Sequence, residues 1–454
     1  MKTSKKSSSI LSEVKNHPLD RVKVAVTDID GILRGKVMKK SKFLSAVESG
    51  FGFCNVVFGW DINDLCYENS TYTGWHTGYP DAQAQIDLNT FRKVPWDDDV
   101  PFFLADFIET DGTPLSVCPR QLLKKIIKET QQTGFEATFG QEFEWFNFAE
   151  TPHSLEEKNY QNPSPITPGM FGYSILRSSL AQEYMADLFD GTSQFEIPLE
   201  GLHTETGPGV YEAAILYSDP LEQADRAVLF KTAVKEIGYR HQILPSFMAK
   251  WNANLPGCSG HLHQSLWKDG KNVFYQDDHP HKMSPLFKSY LAGQIKCLPE
   301  ILPFYAPNIN SYKRLVEGLW APTLVTWGVE NRTVSLRVIP GSESSTRLET
   351  RVPGSDSNPY LAISAALASG LYGIQKGLKL KDQPVSGNGY AVTDAIRLPA
   401  TLEEATDKMA KSDLAKELFG KTFIKHFVEN RKWEVLQARK AVTDWEIKRY
   451  FELV

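Results

Sequence analysis

The sequence predicts an α+β protein in which a β-rich N-terminal part precedes a larger part of mixed strands and helices. Residues 20 to about 110 consist of short apolar strands and turns, beginning with Val22–Thr27 and the Asp30-Gly31 turn. From Arg120 to Gln132, apolar residues instead recur at helical spacing, and strand-like and helical segments alternate after it. The expected divisions are a flexible tail over 1–19, a β-rich domain over 20–112 and a larger domain over 113–454.

The larger domain shows both periodicities. Its strand-like segments are Phe139–Phe148, Ser259–Trp267, Thr333–Val338 and Thr346–Val352, and its helical segments are Leu221–His241, a helix opened by Asn358-Pro359, and the charged tail from Leu402 to Val454. The most apolar stretch, Tyr360–Ile374, is about 15 residues long and carries Ser and Gly. It is too short to span a bilayer, so we expect a buried helix.

Composition narrows the class of partner. The chain has 454 residues, 41% of them hydrophobic, and a net charge of −5, which gives no electrostatic basis for binding nucleic acid or an anionic membrane. Its five cysteines lack metal-ligand spacing and favour reduced thiols in a cytoplasmic protein. The basic, Ser-rich N-terminus has no apolar run after it, so we interpret it as a tail and not a signal peptide.

Acidic and histidine side chains recur at strand spacing in the larger domain. Residues i and i+2 share a face of a strand, so Glu142 and Glu144 point the same way, as do His261 and His263. Glu349 lies between two arginines at the same spacing. A fourth segment, Glu205–Glu212, bends through Gly-Pro-Gly and can bring its two terminal carboxylates together. Each pattern alone fits a solvated strand face with ion pairs.

Together these segments indicate a metal site. Five carboxylates and a histidine cannot stay ionised in one basin without compensation, and oxygen-rich sites with an imidazole suit Mg²⁺ or Mn²⁺. The neighbouring arginines would face phosphate or carboxylate groups. Such a site, with no Ser or Cys nucleophile, favours phosphoryl transfer by positioning and charge neutralisation. A phosphate-binding P-loop is absent, because Ala415 occupies the first glycine position before Gly420-Lys421-Thr422.

Several motifs in order resemble the glutamine synthetase family (class I-like) over roughly residues 20–454. They are FGQEFEWF, IPLEGLHTETGPGVYE, CSGHLHQSLW, NSYKRLVEG, ENRTVSLR, TRLETRVPGSDSNPYL and VTDWEIKRY. The resemblance implies a β-grasp N-terminal domain and a catalytic domain in which an antiparallel sheet with flanking helices forms a funnel. It also implies hexameric rings, usually stacked as dodecamers, with active sites between subunits.

The resemblance assigns site residues position by position. One metal would be held by Glu144, Glu205 and Glu212, and a second by Glu142, His261 and Glu349. Glutamate would meet Gly257, Arg314 and Arg351, and the ATP phosphates would meet Arg332, Arg337 and Arg347, with Arg332 catalytic. Adenine and ribose would lie near Glu200, Tyr217, His263 and Ser265. The implied reaction passes from glutamate and ATP to γ-glutamyl phosphate, which an amine then attacks.

Two departures from the family pattern concern the amine. Trp320 stands where glutamine synthetase has a flap glutamate. The family's second acidic group in this pocket is an aspartate whose motif is not preserved here, and Asp61 or Asp64 is the candidate to replace it. We assign Asp61 a catalytic role and Trp320 a substrate-binding one. An indole can cover an alkyl chain or an organic cation. The pattern resembles the γ-glutamylpolyamine, γ-glutamylalkylamide and γ-glutamylethanolamide synthetases, so we favour an organic amine. Ammonia remains the alternative, as does packing for Trp320.

Two further classes remain to be weighed. Asp28-Ile-Asp30-Gly31 imitates the nucleophile motif of haloacid-dehalogenase-type phosphatases, although a hairpin turn explains it equally well. A non-catalytic relative such as lengsin would be a structural protein. We expect such a relative to have lost metal ligands, whereas all six matched positions are present here.

Overall fold

The computed structural model describes residues 5–454. Its N-terminal elements are α1 (Lys5–Asn16), β1 (Arg21–Thr27), β2 (Leu33–Lys39), α2 (Lys40–Ser49), β3 (Phe51–Cys54), β4 (Asp81–Val94) and β5 (Val100–Ile108). The strands form one sheet in the order β2-β1-β5-β4-β3. Strands β1 and β5 run parallel and the other neighbours run antiparallel.

The structure contradicts the flexible tail predicted before residue 20. Helix α1 places Ile10 and Val14, four residues apart on one helix face, in the core of the N-terminal domain. Burial of this face fixes a segment that its Lys- and Ser-rich composition made look unstructured. Residues 1–4 of the predicted tail lie outside the described residues. Helix α2, in a region interpreted as strands and turns, is held in the same way by Phe43 and Ala46.

The larger domain contains α3 to α14 and β6 to β14. These are α3 (Pro119–Gln132), β6 (Glu136–Phe148), α4 (Pro152–Glu157), α5 (Ile175–Ser178), α6 (Gln182–Gln194), β7 (Leu199–Thr204), β8 (Val210–Ser218), α7 (Pro220–Arg240), β9 (Leu244–Ser246), β10 (Leu262–Lys268), β11 (Lys271–Asn272), α8 (Pro285–Ile301), α9 (Ser311–Arg314), β12 (Trp327–Val329), β13 (Leu336–Ile339), β14 (Arg347–Thr350), α10 (Pro359–Gln375), α11 (Leu402–Lys411), α12 (Asp413–Phe419), α13 (Lys421–Lys440) and α14 (Asp444–Tyr450).

One nine-stranded sheet organises this domain. Its main path is β12-β13-β14-β10-β6-β8-β7, with β11 on β10 and β9 on β6. Pairing is antiparallel except between β12 and β13. Helix α10 is buried along most of its length and packs against α8, α3 and α7. The buried helix predicted over Tyr360–Ile374 is therefore confirmed. Within the described residues, no helix combines the length and apolarity needed to cross a membrane.

The Asp-rich segment after β1 is a hairpin connection. Asp28 accepts hydrogen bonds from the backbone N–H groups of Asp30 and Ile32 and pairs with Arg34 at 3.0 Å. Gly31 has φ +78°, a conformation that glycine adopts without strain. Since the Asp28 carboxylate is engaged within the turn, the structure favours the hairpin interpretation over a phosphatase nucleophile.

Candidate active site

A row of charged residues crosses six neighbouring strands. In the register, Arg337 on β13 lies opposite Glu349 on β14, and Glu349 lies opposite His263 on β10. Across β6 and β8, Glu144 lies opposite Glu212, which in turn faces His203 on β7. The spacing predicted from the sequence thus holds within each strand, and the register joins the strands into one polar surface.

The first cluster is formed by Glu142, His261 and Glu349. Its three ligand atoms lie within 4.8 Å of one another. His261 Nδ1 lies 3.4 Å from Glu349 Oε1 and 3.6 Å from Glu142 Oε2. Arg337 and Arg351 both donate to Glu349, at 3.0 and 2.5 Å. The predicted second metal set is therefore brought together, with two guanidinium groups around its buried carboxylate.

The second cluster contains a residue that the sequence analysis missed. His203, Glu205 and Glu212 also offer ligand atoms within 4.8 Å of one another. His203 precedes Glu205 by two residues, the same strand spacing that identified the other pairs, so the signal was available. The predicted third member, Glu144, instead turns one oxygen to the Ser259 backbone N–H at 2.5 Å, although it still lines the same cavity.

The two clusters differ in the pKa values of their carboxyl groups. Burial, followed by the charges of neighbouring carboxylates led by Glu144, raises the pKa of Glu212 to about 10. Burial also disfavours the charged form of Glu349, but the charges of Arg351, His261 and His263 together outweigh it and lower the pKa of Glu349 to about 2. The protein's own cations therefore balance the first cluster, whereas the second carries uncompensated negative charge.

Divalent cations fit this set of donors. Carboxylate oxygens with one imidazole per cluster are ligands that Mg²⁺ and Mn²⁺ accept. His261 Nε2 is buried without a hydrogen-bond partner. A bound cation would also supply the positive charge that the Glu212 carboxylate needs in order to ionise. The residues present thus suit two metal positions about a common carboxylate surface.

This electrostatic difference predicts a pH-dependent metal effect on stability. Glu212 has a folded-state pKa raised to about 10 from its ordinary 4.5, so its contribution to stability is present below pH 4.5 and is lost as pH rises towards 10. We expect the melting temperature of protein in EDTA to fall from pH 6 to 9 (about three pH units) and Mg²⁺ to restore it increasingly at high pH. Thermal scans across pH test this.

Glu212→Gln is the control for that measurement. The variant lacks the titrating carboxyl group, so its EDTA curve should be flatter than that of the natural protein over the same range. Equal slopes for the two proteins would show that Glu212 does not carry the effect.

Two cavities meet at Glu142. The larger, of about 600 Å³, is lined by both clusters and by further residues predicted for the site, namely Gly257, Trp320, Arg332, Arg337 and Arg351. The smaller, of about 270 Å³, is lined by Glu200, Tyr217, His263, Ser265 and Arg347, together with Trp267. The residues expected to hold adenine and ribose therefore surround one space, and Glu142 connects it to the carboxylate surface.

Arg314 is placed behind the cavity wall. Its guanidinium donates to the carbonyl oxygens of Val352 and Arg351 and to Ser259 Oγ, and it does not line the larger cavity. Gly257 lies directly in front of it, where an added Cβ would approach Arg314 Cγ to 2.8 Å. The structure thus brings Gly257 and Arg351 to the cavity surface and leaves Arg314 as a support beneath it.

Asp61 lines neither cavity within the chain, so its catalytic role stays a prediction. One carboxylate oxygen accepts from the backbone N–H groups of Asn63 and Leu65, and the other accepts from Trp433 Nε1 at 2.9 Å. This buried carboxylate anchors its own loop to helix α13. Asp64 in the same loop is more exposed and pairs with Arg34 at 2.7 Å.

One known protein family matches most of this chain. The family model for the glutamine synthetase catalytic domain matches residues 116–450. The chain belongs to the glutamine synthetase family. Members of this family are ligases, among them glutamate–amine ligases, that use ATP and divalent metal ions. The family assignment and the predicted fold class are both confirmed.

Individual family members resemble the whole chain. A type-1 glutamine synthetase 2 of Dictyostelium discoideum is 53% identical over 98% of this chain and 86% of the relative. A glutamate–isopropylamine ligase of a Pseudomonas species is 37% identical over 97% of both chains. The solved structure of GmaS without ligand superposes with a TM-score of 0.84 at 25% identity, covering 97% of this chain and 99% of that one.

Proposed function

We propose that this glutamine synthetase family ligase joins the γ-carboxylate of glutamate to an organic amine in place of ammonia. The observation that carries the proposal is Trp320, an uncharged aromatic side chain at the large cavity beside the carboxylate clusters. An indole offers an alkyl substituent an apolar surface but gives ammonium no carboxylate. The proposal leaves alkylamines, ethanolamine and polyamines as candidate substrates.

The proposed roles combine the sequence assignments with the observed positions. One Mg²⁺ or Mn²⁺ would be held by Glu205, Glu212 and His203 with Glu144 nearby, and the other by Glu142, His261 and Glu349. Glutamate would meet Gly257 and Arg351, with Arg314 supporting that wall, and ATP would occupy the smaller cavity with its phosphates towards Arg332, Arg337 and Arg347. The metals supply charge neutralisation of the phosphates when bound.

The proposed reaction has two steps. A γ-carboxylate oxygen of glutamate attacks the γ-phosphorus of ATP, and the bond to ADP breaks to give γ-glutamyl phosphate. Arg332, which lines the larger cavity, is placed to neutralise the transferring group. The amine nitrogen then attacks the acyl carbon, the carbon–oxygen bond to phosphate breaks, and the nitrogen loses a proton. The cavity must exclude water during this step, because water would hydrolyse the acyl phosphate.

Two relatives support different amines. The Pseudomonas relative is named for isopropylamine, which supports an organic amine. The more similar Dictyostelium relative is named as a glutamine synthetase, which keeps ammonia as the second candidate. A lengsin-like structural role is the third, and the complete carboxylate clusters weigh against it.

An amine panel tests the proposal. We expect ADP release with glutamate and Mg²⁺ to show a kcat/KM for the best organic amine at least ~10-fold above that for ammonium, since an apolar contact is available only to the former. Mass spectrometry of the γ-glutamyl product identifies the joined amine. A higher kcat/KM for ammonium would contradict the proposal, and no turnover with any amine would support the structural alternative.

We further propose that the chain assembles into hexameric rings with shared sites. The N-terminal domain exposes the apolar side chains of Ile62, Leu65 and Trp75 around the Asp61 loop, as a surface meant for a neighbouring subunit would. In such a ring the exposed acids of this loop, Asp64 and Glu68, would be available to a neighbouring subunit. Sedimentation of the purified protein as a single subunit would contradict this assembly.

A further inference from the structure

A closed ring of buried side-chain hydrogen bonds lies behind the strands that carry the first cluster. Gln264 Nε2 donates to Thr350 Oγ1 at 2.8 Å, and Thr350 Oγ1 donates to Gln294 Oε1 at 2.8 Å. Gln294 Nε2 closes the ring by donating to Gln264 Oε1 at 2.7 Å. All three side chains are buried. Each group donates to the next in one direction, so the bonds of the ring polarise and strengthen one another.

Two further groups attach this ring to the helices that cover the sheet. The Tyr290 hydroxyl donates to Gln264 Oε1 at 2.6 Å, and Gln294 Nε2 also donates to the carbonyl oxygen of Ala366 at 3.0 Å. Tyr290 and Gln294 belong to α8, and Ala366 belongs to α10. Every amide and hydroxyl atom of the three ring side chains therefore has a partner, and the ring fixes β10, β14, α8 and α10 relative to one another.

The members of the ring alternate along their strands with residues of the candidate active site. Gln264 follows His263 on β10, and Thr350 follows Glu349 on β14. Successive side chains of a strand point to opposite faces of the sheet, so the ring lies directly behind the residues that face the cavities. In the register of these two strands, Glu349 lies opposite His263 and Thr350 lies opposite Leu262. The ring therefore joins β10 to β14 at the position where Glu349 enters the first cluster.

The backbone pairing that holds β14 is short. The strand has four residues, of which three pair with β10, and its other neighbour β13 also has four. By contrast, β6 and β8, which carry Glu144 and Glu212, pair through seven residues of β6. Because few main-chain hydrogen bonds hold β14, its side-chain contacts contribute a larger share to the position of Glu349.

We infer that Thr350 and Gln294 are positioning residues for the metal of the first cluster. Through the ring they hold the Glu349 carboxylate at its place beside His261 and Glu142. The inference rests on the metal-binding roles in the proposed function and deepens them, because it gives a role to a residue of α8 that lies behind the sheet. The second cluster should be independent of the ring, since its ligands lie on or beside β7 and β8, which carry no member of the ring.

The test measures Mn²⁺ binding to the whole protein without ATP, followed by the electron paramagnetic resonance signal of free Mn²⁺. We expect the natural protein to bind two ions per chain. Thr350→Val keeps the shape of the side chain but removes the hydroxyl group, which breaks two bonds of the ring. It should weaken one of the two Mn²⁺ sites by about 10-fold and leave the other unchanged. Gln294→Met removes the amide that α8 contributes and should have the same effect, so it decides the test if Thr350→Val does not fold.

Two controls separate positioning from a general loss of stability. Thr350→Ser keeps the hydroxyl group and should bind both ions as the natural protein does. Thr130→Val on α3 removes another buried hydroxyl group, which donates to the Ile126 carbonyl at 2.8 Å within its own helix. It should lower the melting temperature without changing either Mn²⁺ site.

Two failures are distinguishable in these data. Two unchanged sites in either folded ring variant, or equal weakening of both sites, overturn the inference while leaving the metal-binding roles in place. Binding of fewer than two Mn²⁺ ions by the natural protein overturns the proposed metal-binding roles themselves.

Discussion

Replacing Glu349 by Gln should lower kcat by about 10²–10³-fold, because it removes an anionic ligand of the cation that would neutralise the transferred phosphate. Glu349 is 1% exposed and interacts with His261, Arg337 and Arg351. The amide keeps the shape of the side chain but not its charge. We therefore also expect Mg²⁺ affinity to weaken by about 10–100-fold, measured as the Mg²⁺ concentration that gives half-maximal ADP release.

Glu330→Gln provides a matched control for that experiment. Glu330 also pairs with Arg337, but its side chain is 49% exposed and it does not line the cavity. Its removal should change kcat by less than about 3-fold, since an exposed ion pair contributes little. If Glu349→Gln kept full activity with an unchanged half-maximal Mg²⁺ concentration, Glu349 would not be a metal ligand. Melting temperatures of both variants show whether a loss of activity follows from unfolding.

The sequence predicted which site residues share a face of one strand, but not which residues of other strands lie beside them. Period-2 spacing identified Glu142 with Glu144 and His261 with His263, because that spacing depends only on the strand. Arg337 and His261, which also lie beside Glu349, come from other segments, and strand register cannot be obtained from spacing within one segment. His203 could have been predicted, because it lies at strand spacing from Glu205. It was not predicted, because the ligands of that metal were assigned from the family resemblance alone.

The positions of Asp61, Arg314 and helix α1 all depend on contacts between residues that are distant in the sequence. Asp61 was assigned to catalysis by its position in the chain, yet its orientation is decided by Trp433 on a helix far along the sequence. Arg314 was assigned to glutamate, but the carbonyl oxygens of Arg351 and Val352 take up its donors. Helix α1 was missed because its stability comes from burying Ile10 and Val14 and not from its own composition. In each case, tertiary contacts decide the result.

A second large effect is expected where the two domains meet, at Arg120. Its guanidinium makes a bidentate pair with Asp225 on α7, at 2.9 and 2.8 Å, and also contacts Asp106 on β5 and Asp87 on β4. The Arg120 side chain is 2% exposed. One buried cation thus holds three carboxylates from the N-terminal sheet and the catalytic domain. Its removal would leave Asp87 and Asp106 paired with Lys124 and would take from Asp225 its bidentate partner.

We expect Arg120→Met to lower the free energy of unfolding by about 3–5 kcal/mol, because breaking a buried ion pair strands uncompensated charges. Denaturant titration measures this change. Lys125→Met is the control on the same helix: Lys125 pairs with Glu129 at 3.7 Å on the exposed surface, so its loss should cost under about 0.5 kcal/mol. A loss below about 1 kcal/mol in Arg120→Met would contradict a structural role for this network.

The pH dependence of that variant separates charge from packing. In the natural protein, burial opposes ionisation of Asp87, but Arg120 and Lys124 outweigh it and lower its pKa to about 2. A lowered pKa contributes stability above the ordinary value of 3.8 that is lost as pH falls towards 2. Without Arg120, the buried acids should bind protons at higher pH. The deficit of Arg120→Met should therefore shrink as pH falls from about 7 to 5, whereas a packing defect would be independent of pH.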